Sequence, residues 1–156
     1  MSSMVKVMTY EKALNNIYEI VKKHSNLFSH NAYDISILPG WITLVDELLC
    51  ELQGRLGNNE RIQIVQVKEK FGRLRLHFGT IGIPDERLFL FKGPIEEAEA
   101  KSAKTCIFCG DKGSMTNNGW ISPRCPSHVD AEMDLDRSVV VLAKHEDKMA
   151  KLLKQS

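Results

Sequence analysis

The sequence predicts an α+β fold, in which a small antiparallel sheet packs against helices. Residues 10–21 and 41–52 repeat apolar side chains at helical spacing, and residues 62–78 contain two strand-like runs. Three cysteines and a histidine then lie between residues 106 and 128. We therefore predict a core domain over residues 1–103, a separate module over residues 104–130, and a C-terminal helical tail over residues 131–156.

The bulk composition is typical of a globular chain. Of its 156 residues, 43% are hydrophobic and 26% are charged, so one ordinary core with a small appendage is expected. The net charge of +1 argues against a protein coated with basic groups for nucleic acid. We recognise no apolar run of membrane-spanning length and no secretion signal at the N-terminus. We therefore expect a cytoplasmic protein with no membrane partner.

The first helix is predicted to begin at Tyr10 or Glu11. Its apolar face is formed by Leu14, Ile17, Tyr18 and Val21. The polar segment HSNLFSHNAYD predicts a loop over residues 24–34. Within it, His24 and His30 are interpreted as solvated side chains, because neither has a cysteine or histidine neighbour at ligand spacing.

The second helix is the strongest, with Pro39 and Gly40 at its start and Gly57 beyond its end. Its apolar stripe is Trp41, Leu44, Val45, Leu48, Leu49 and Leu52. Its acids are Asp46, Glu47 and Glu51, and they predict a solvated face. Cys50 lies opposite the stripe, far in sequence from the other cysteines, and is not predicted to be a ligand.

Two strands are predicted at residues 62–67 and 73–78, joined by a turn at residues 69–72. The second strand alternates, so its leucines face the core and its basic residues face away. Five potentially cationic groups gather on or near that outer face: Lys68, Lys70, Arg73, Arg75 and His77. Such a row is first of all typical of the wet face of a sheet, because alternation alone produces it, and the alternative is a surface for phosphates or an acidic protein.

A connection follows, with a short apolar piece at residues 88–91 that suits either a strand or a helical turn. Pro94 is predicted to occupy the first turn of a third helix that runs to about residue 103. Acids early and lysines late in this segment complement the helix dipole. The helix delivers the chain to Cys106.

The segment CIFCGDKGSMTNNGWISPRCPSH has the spacing C-x2-C-x15-C-x2-H. Three thiolates and an imidazole fill a tetrahedral shell, and this donor set favours a structural zinc ion over a catalytic one. The predicted ligands are Cys106, Cys109, Cys125 and His128. Gly110 suits the knuckle turn, and Asn118-Gly119 predicts a hairpin turn, so we expect a zinc-knuckle or treble-clef-like hairpin module.

Several basic side chains near these ligands could offset the net negative charge of the site: Lys104, Lys112 and Arg124. Trp41 and Trp120 are predicted to pack, the first at a helix start and the second on the hairpin. After His128, Leu142, Met149, Leu152 and Leu153 fit helical spacing, which predicts either a closing helix or a partner-binding one.

Four stretches occur in the order PGWITLVDELLCELQ, VQVKEKFGRLRLHF, IEEAEAKSAKTCIFCG and GWISPRCPSH. In this combination, over residues 38–128, the chain resembles a group of short bacteriophage and prophage proteins without a settled activity. The resemblance implies a phage setting, and hence action in the host cell cytoplasm. The chain departs from that group after residue 128, where many members end soon.

Three functions remain open from the sequence. The first is a non-enzymatic zinc-binding protein that binds a host or phage protein and inhibits or modulates it. The second is nucleic-acid binding through the cationic row, assisted by Lys112 and Arg124. The third and weakest is a metal-dependent nuclease that uses the acids after His128, namely Asp130, Glu132, Asp134 and Asp136, with His145.

Overall fold

A computed structural model of the chain describes residues 10–118, 120–131 and 140–143. The helices described are α1 Tyr10–Lys23, α2 Ile42–Arg55 and α3 Phe89–Ser102. The strands described are β1 Asp34–Ile37, β2 Arg61–Lys70, β3 Arg73–Ile81, β4 Ser114–Asn118, β5 Trp120–Arg124 and β6 Val140–Ala143. Helices therefore accompany small sheets, which confirms the predicted α+β class.

The main sheet has four strands in the order β3-β2-β1-β6, and β4 pairs with β5 separately. β1 is parallel to β2, while the other neighbouring strands are antiparallel. The sheet is therefore mixed, whereas the sequence analysis predicted a purely antiparallel one. The cause is β1, a four-residue strand that the sequence analysis did not assign. It connects to β2 through α2, and a helical crossover brings the chain back to start a parallel strand.

One face of the main sheet builds the core. Ile35 on β1 lies opposite Val67 on β2, which lies opposite Leu76 on β3, and all three are buried. The predicted α2 stripe is confirmed, since all six of its side chains are buried. On α1 the predicted face is partly wrong: Ile17 is buried, but Tyr18 is 42% exposed.

The predicted hairpin is confirmed, and its turn is Phe71-Gly72 between the paired residues Lys70 and Arg73. Both turn residues have positive φ, 52° and 81°, as a tight hairpin of this length requires. The pairing register shifts at residue 65, where β2 has an irregularity between Ile64 and Gln66. This shift lets Ile64 and Val67 both reach the core although they are an odd number of residues apart.

α3 begins at Phe89, five residues before Pro94, so the prediction that Pro94 lies in the first turn is wrong. A proline inside a helix leaves the carbonyl four residues earlier without its usual donor. That carbonyl belongs to Leu90, and Arg55 at the end of α2 donates a 3.2 Å hydrogen bond to it. The contact between α2 and α3 therefore compensates for the proline.

The C-terminal tail was predicted to be helical, but Val140–Ala143 forms β6, antiparallel to β1. Leu142 lies opposite Ile35 in the register, so it belongs to a strand rather than to the predicted apolar helix face. The rest of that predicted helix lies outside the described residues. Among the helices that are described, none has the length and apolar character needed to cross a membrane.

Candidate metal centre

The four predicted ligands come together at one point. Their donor atoms, the three Sγ atoms and one imidazole nitrogen, all lie within 4.8 Å of one another. Cys106 and Cys109 lie just after α3, and Cys125 and His128 lie at the end of β5 and in the 3-10 turn that follows. The cluster can hold a metal ion.

The separations match a tetrahedral ion. Sulfurs held at about 2.3 Å from one zinc ion would lie about 3.8 Å apart, and a sulfur and an imidazole nitrogen about 3.6 Å apart. Cys109 Sγ is 3.7 Å from Cys125 Sγ, while Nδ1 of His128 is 3.6 Å from Cys106 Sγ and 3.2 Å from Cys125 Sγ. Nδ1 is therefore the nitrogen of His128 that is placed to bind an ion. Its Nε2 is buried without a hydrogen-bond partner among the described residues.

The first knuckle depends on the backbone of Gly110, which has φ of 85°, as the sequence predicted. The Gly110 amide donates to the Cys106 carbonyl at 2.9 Å, and the Asp111 amide donates to Cys109 Sγ at 3.5 Å. The Cys106 amide donates to the Asp111 carbonyl at 2.7 Å, which closes the loop. These hydrogen bonds within residues 106–111 orient both thiols toward the same point.

The thiols of Cys106 and Cys109 differ in their pKa. Burial, together with the neighbouring thiols of Cys125 and Cys106, raises the pKa of the Cys109 thiol to about 12, although the hydrogen bond from the Asp111 amide acts to lower it. Burial also acts to raise the pKa of Cys106, but backbone amides that include those of Cys125 and Cys109 outweigh it and lower that pKa. Burial lowers the pKa of His128, so its imidazole is neutral, as a ligand must be. A cation is what would favour the thiolate forms together.

Arg124 is only 7% exposed, so it cannot assist in binding a phosphate, and that prediction is wrong. Its guanidinium donates to the carbonyls of Val129 at 3.1 Å and Ala131 at 2.6 Å, and to Ser122 Oγ at 3.0 Å. It also lies over the rings of Phe108 and Trp120, 5.2 and 5.8 Å from their centroids. Arg124 therefore fixes the chain around the second knuckle, and Trp120 packs on the hairpin as predicted.

The hairpin between the knuckles also forms. β4 pairs with β5, and Asn118 lies opposite Trp120, so the chain reverses where the sequence predicts. Gly119 lies outside the described residues.

The 3-10 turn Pro39–Trp41 docks the first knuckle on the core. The Gly40 amide donates to the Ile107 carbonyl at 2.9 Å, and Trp41 Nε1 donates to the Thr105 carbonyl at 3.1 Å. A Cβ on Gly40 would lie 2.2 Å from the Cys106 carbonyl oxygen, so only glycine fits. The sequence analysis interpreted Gly40 as a helix boundary and missed this contact, since nothing local indicates a partner 66 residues away.

The cationic row lies on the open face of the sheet. Lys70 lies opposite Arg73, Lys68 opposite Arg75, and Gln66 opposite His77, so the predicted five side chains share one face. Four of the five are exposed, and Lys68 is half-buried. The pairing of β2 with β3 places these side chains next to one another, whereas the sequence showed only that basic residues alternate with apolar ones along the second strand.

The tip of this hairpin touches the metal module. A Cβ on Gly72 would lie 2.6 Å from Met115 Sδ on β4 and 3.2 Å from the Ile121 carbonyl oxygen on β5. Three exposed apolar side chains surround this contact: Phe71 at 72% exposure, Met115 at 41% and Ile121 at 38%. We call them the tip patch. The tip patch adjoins the cationic row, so both belong to one surface.

His24 does not lie in solvent, contrary to the sequence interpretation, and Cys50 is one of its neighbours. His24 is 3% exposed rather than solvated, and its Nε2 lies 3.1 Å from Asp46 Oδ1 and 3.7 Å from Cys50 Sγ. Helical spacing offered a signal, because His24 follows α1 directly and lies seven residues after Ile17, which continues the apolar face of that helix. His30 is exposed and contacts Arg61, so its predicted place on the surface is confirmed.

The nuclease hypothesis rests mainly on residues that the structure does not describe. Asp130 is exposed, whereas Glu132, Asp134, Asp136 and His145 lie outside the described residues.

Comparisons with known proteins give no family to which this site can be assigned. The chain matches no protein-family model, and no curated protein or solved structure is similar to it.

Proposed function

We propose that this protein is a non-enzymatic binding protein in which a zinc ion, held by Cys106, Cys109, Cys125 and His128, fixes a surface for a macromolecular partner. Zinc suits a donor set of three thiolates and one imidazole. All four tetrahedral positions are filled by side chains, so the ion has a structural role. The partner is a protein.

The observation that carries this proposal is the junction between the hairpin tip and the metal module. The tip patch of Phe71, Met115 and Ile121 draws on both units, so its shape depends on the ion. Protein interfaces commonly combine such an apolar centre with a charged rim. Lys70, Arg73 and the rest of the cationic row supply a positive rim, which favours a partner with acidic groups around an apolar patch.

The resemblance to bacteriophage and prophage proteins leads us to propose that the partner is a host protein, which this chain inhibits or redirects in the host cytoplasm. The fold offers the two features that such a role requires. The core has an extensive set of buried apolar side chains, and the exposed surface would be held in shape by the ion and by the docking of Gly40.

The test is a binding comparison between two exposed phenylalanines. Phe71→Ala removes the most exposed side chain of the tip patch, whereas Phe89→Ala removes a side chain of 68% exposure at the start of α3. We expect Phe71→Ala to weaken binding of a saturable host protein about 30-fold, as for a hot-spot residue, and Phe89→Ala to leave it unchanged.

Charge reversal gives a second arm of the same test. Arg73→Glu with Arg75→Glu should slow association and abolish its salt dependence. Equal capture by wild type, Phe71→Ala and the charge-reversed protein would contradict the proposed surface.

Nucleic-acid binding is the second candidate, favoured by the five cationic groups on one exposed face and by Phe71, whose ring can stack on a base. DNA and RNA retention by wild type should then fall steeply with salt, and the charge-reversed protein should retain neither. No retention in a low-salt buffer would remove this candidate without affecting the first.

A further inference from the structure

A second group of donor atoms lies outside the candidate zinc centre. His24 follows α1, and Asp46 and Cys50 stand one turn apart on α2. Their donor atoms lie within 4.8 Å of one another, and both contacts of the histidine use the same nitrogen, Nε2. Two helices thus bring an imidazole, a carboxylate and a thiol to a single point.

The group is held in place by the fold. The His24 amide donates to the Ile20 carbonyl at 3.0 Å, and its own carbonyl accepts from the Leu27 amide at 2.9 Å, so the backbone is fixed on both sides. The imidazole is buried against α2, whereas Cys50 is exposed. The site is therefore rigid on its inner side and accessible on its outer side.

The arrangement does not suit a Cys-His-Asp catalytic triad. In such a triad the carboxylate orients one ring nitrogen while the other ring nitrogen accepts the proton of the nucleophile. Here Asp46 and Cys50 both approach Nε2, and that nitrogen can donate its single hydrogen to only one of them. Convergence of three donors on one point is instead what a shared cation requires.

The distances agree with a metal ion. A tetrahedral zinc ion would place an imidazole nitrogen about 3.4 Å from a carboxylate oxygen and about 3.6 Å from a thiolate sulfur. The structure has 3.1 Å between Nε2 and Asp46 Oδ1, and 3.7 Å between Nε2 and Cys50 Sγ. Only small movements of exposed side chains are needed to complete three coordination bonds.

We propose that His24, Asp46 and Cys50 form a second metal site, for zinc or a similar transition-metal ion, with one coordination position open. Three protein ligands leave a fourth position for water or another small ligand. Asp46 also lines a groove between α1 and α2, together with Glu19 and Thr43. The inference concerns metal binding and assigns no reaction to the ion.

A neighbouring lysine lowers the metal affinity of this second site relative to that of the Cys106 centre. Lys23 Nζ lies 3.3 and 3.5 Å from the two carboxylate oxygens of Asp46, and its side chain is 55% exposed. An incoming cation must displace this ammonium group, and the site has one thiolate rather than three. The second site therefore fills after the Cys106 centre and exchanges its ion more readily.

Cobalt(II) titration of the zinc-loaded protein tests this inference, because a cobalt–thiolate bond has a near-ultraviolet charge-transfer band. With zinc content measured in parallel, we expect the band to saturate at one cobalt per chain while one zinc is retained. Cys50→Ser should abolish the band, and Asp46→Asn should weaken cobalt binding at least about tenfold. Lys23→Met should strengthen it severalfold, because the competing ammonium group is gone.

Glu47→Gln is the matched control, since Glu47 is the next acid on α2, is exposed, and pairs with Lys101 at 3.8 Å instead. It should leave the titration unchanged. Absence of the band at millimolar cobalt, or its survival in Cys50→Ser, would overturn the proposed site. Neither result depends on whether the protein binds a macromolecular partner.

Discussion

The core and the metal module of this protein are stabilised in different ways. The core buries apolar side chains from three helices and a sheet, with Trp41, Leu49, Ile64 and Leu74 among those nearly inaccessible to solvent. In the module, the large buried apolar side chains are Ile107 and Phe108, and the other buried groups are mostly polar or ligands. Small units of this kind commonly need a metal ion. The buried side chains therefore suffice to explain the stability of the core, whereas the module has few of them and has a cluster that can hold a metal ion.

Removal of the metal should give the largest difference in stability between the module and the core. Binding of a structural zinc ion is worth about 10–16 kcal/mol in small zinc domains, so a chelated module should unfold while the core persists. We expect amide exchange to rise across residues 104–131 and to stay slow in residues 61–81. Cys125→Ser should reproduce the effect without chelator. An equal rise in both regions would show that the core also depends on the ion.

The docking contact between the two regions gives the next largest effect. Gly40→Ala places a methyl group against the Cys106 backbone, so unfolding free energy should fall by about 3 kcal/mol. Gly54→Ala is the control, because nothing lies within 4 Å of its Cβ position in α2, and this change should stabilise by about 0.5–1 kcal/mol. Urea unfolding of both variants checks the pair. An unchanged free energy of unfolding in Gly40→Ala would mean that the first knuckle does not pack against Gly40.

Substitution of Arg124 tests whether this buried cation stabilises the module, which has few buried apolar side chains. Arg124→Met leaves the carbonyls of Val129 and Ala131 without their donor, so we expect a loss of about 2 kcal/mol and weaker zinc retention. Lys112→Met, an exposed change two residues before β4, should stay within about 0.5 kcal/mol. Zinc retention against a competing chelator, with thermal unfolding, measures both. Identical retention by the two variants would argue against this role.

The smallest effect concerns an ion pair within the core. Hydrogen bonds from Arg87 and then from the Gly57 amide lower the pKa of Glu60. A lowered pKa in the folded state contributes stability above the ordinary carboxyl pKa, and this is lost as pH falls through the lowered value. Glu60→Gln should therefore reduce the melting temperature at neutral pH, with the difference shrinking under acid conditions. Glu86→Gln, on the adjacent exposed turn, should show no such pH dependence.

Local patterns were enough to predict part of the molecule. The apolar stripe of α2, the Lys70–Arg73 hairpin turn and the four clustered ligands each depend on residues close in sequence. Gly110 belongs to the same class, since a knuckle turn needs its positive φ locally. The region boundaries near residues 103 and 130 remain a prediction.

Other features were invisible because their cause is distant. β1 has only four residues, and it is a strand because it pairs with β2 on one side and with β6 on the other. Pro94 lies inside a helix only because Arg55 reaches the freed Leu90 carbonyl. Arg124 was interpreted as a surface cation, and its burial depends on aromatic rings brought over it by folding.

The sequence by itself determined the α+β class, the α2 helix, the cationic hairpin and the identities of the four clustered ligands, because periodicity and ligand spacing are local properties. Three features were decided by tertiary structure alone. The first knuckle packs against Gly40, and the tip patch lies beside the cationic row. His24 contacts both Asp46 and Cys50. These are contacts between surfaces far apart in the chain. Their geometry is set by how helices and strands pack, and no short segment encodes it.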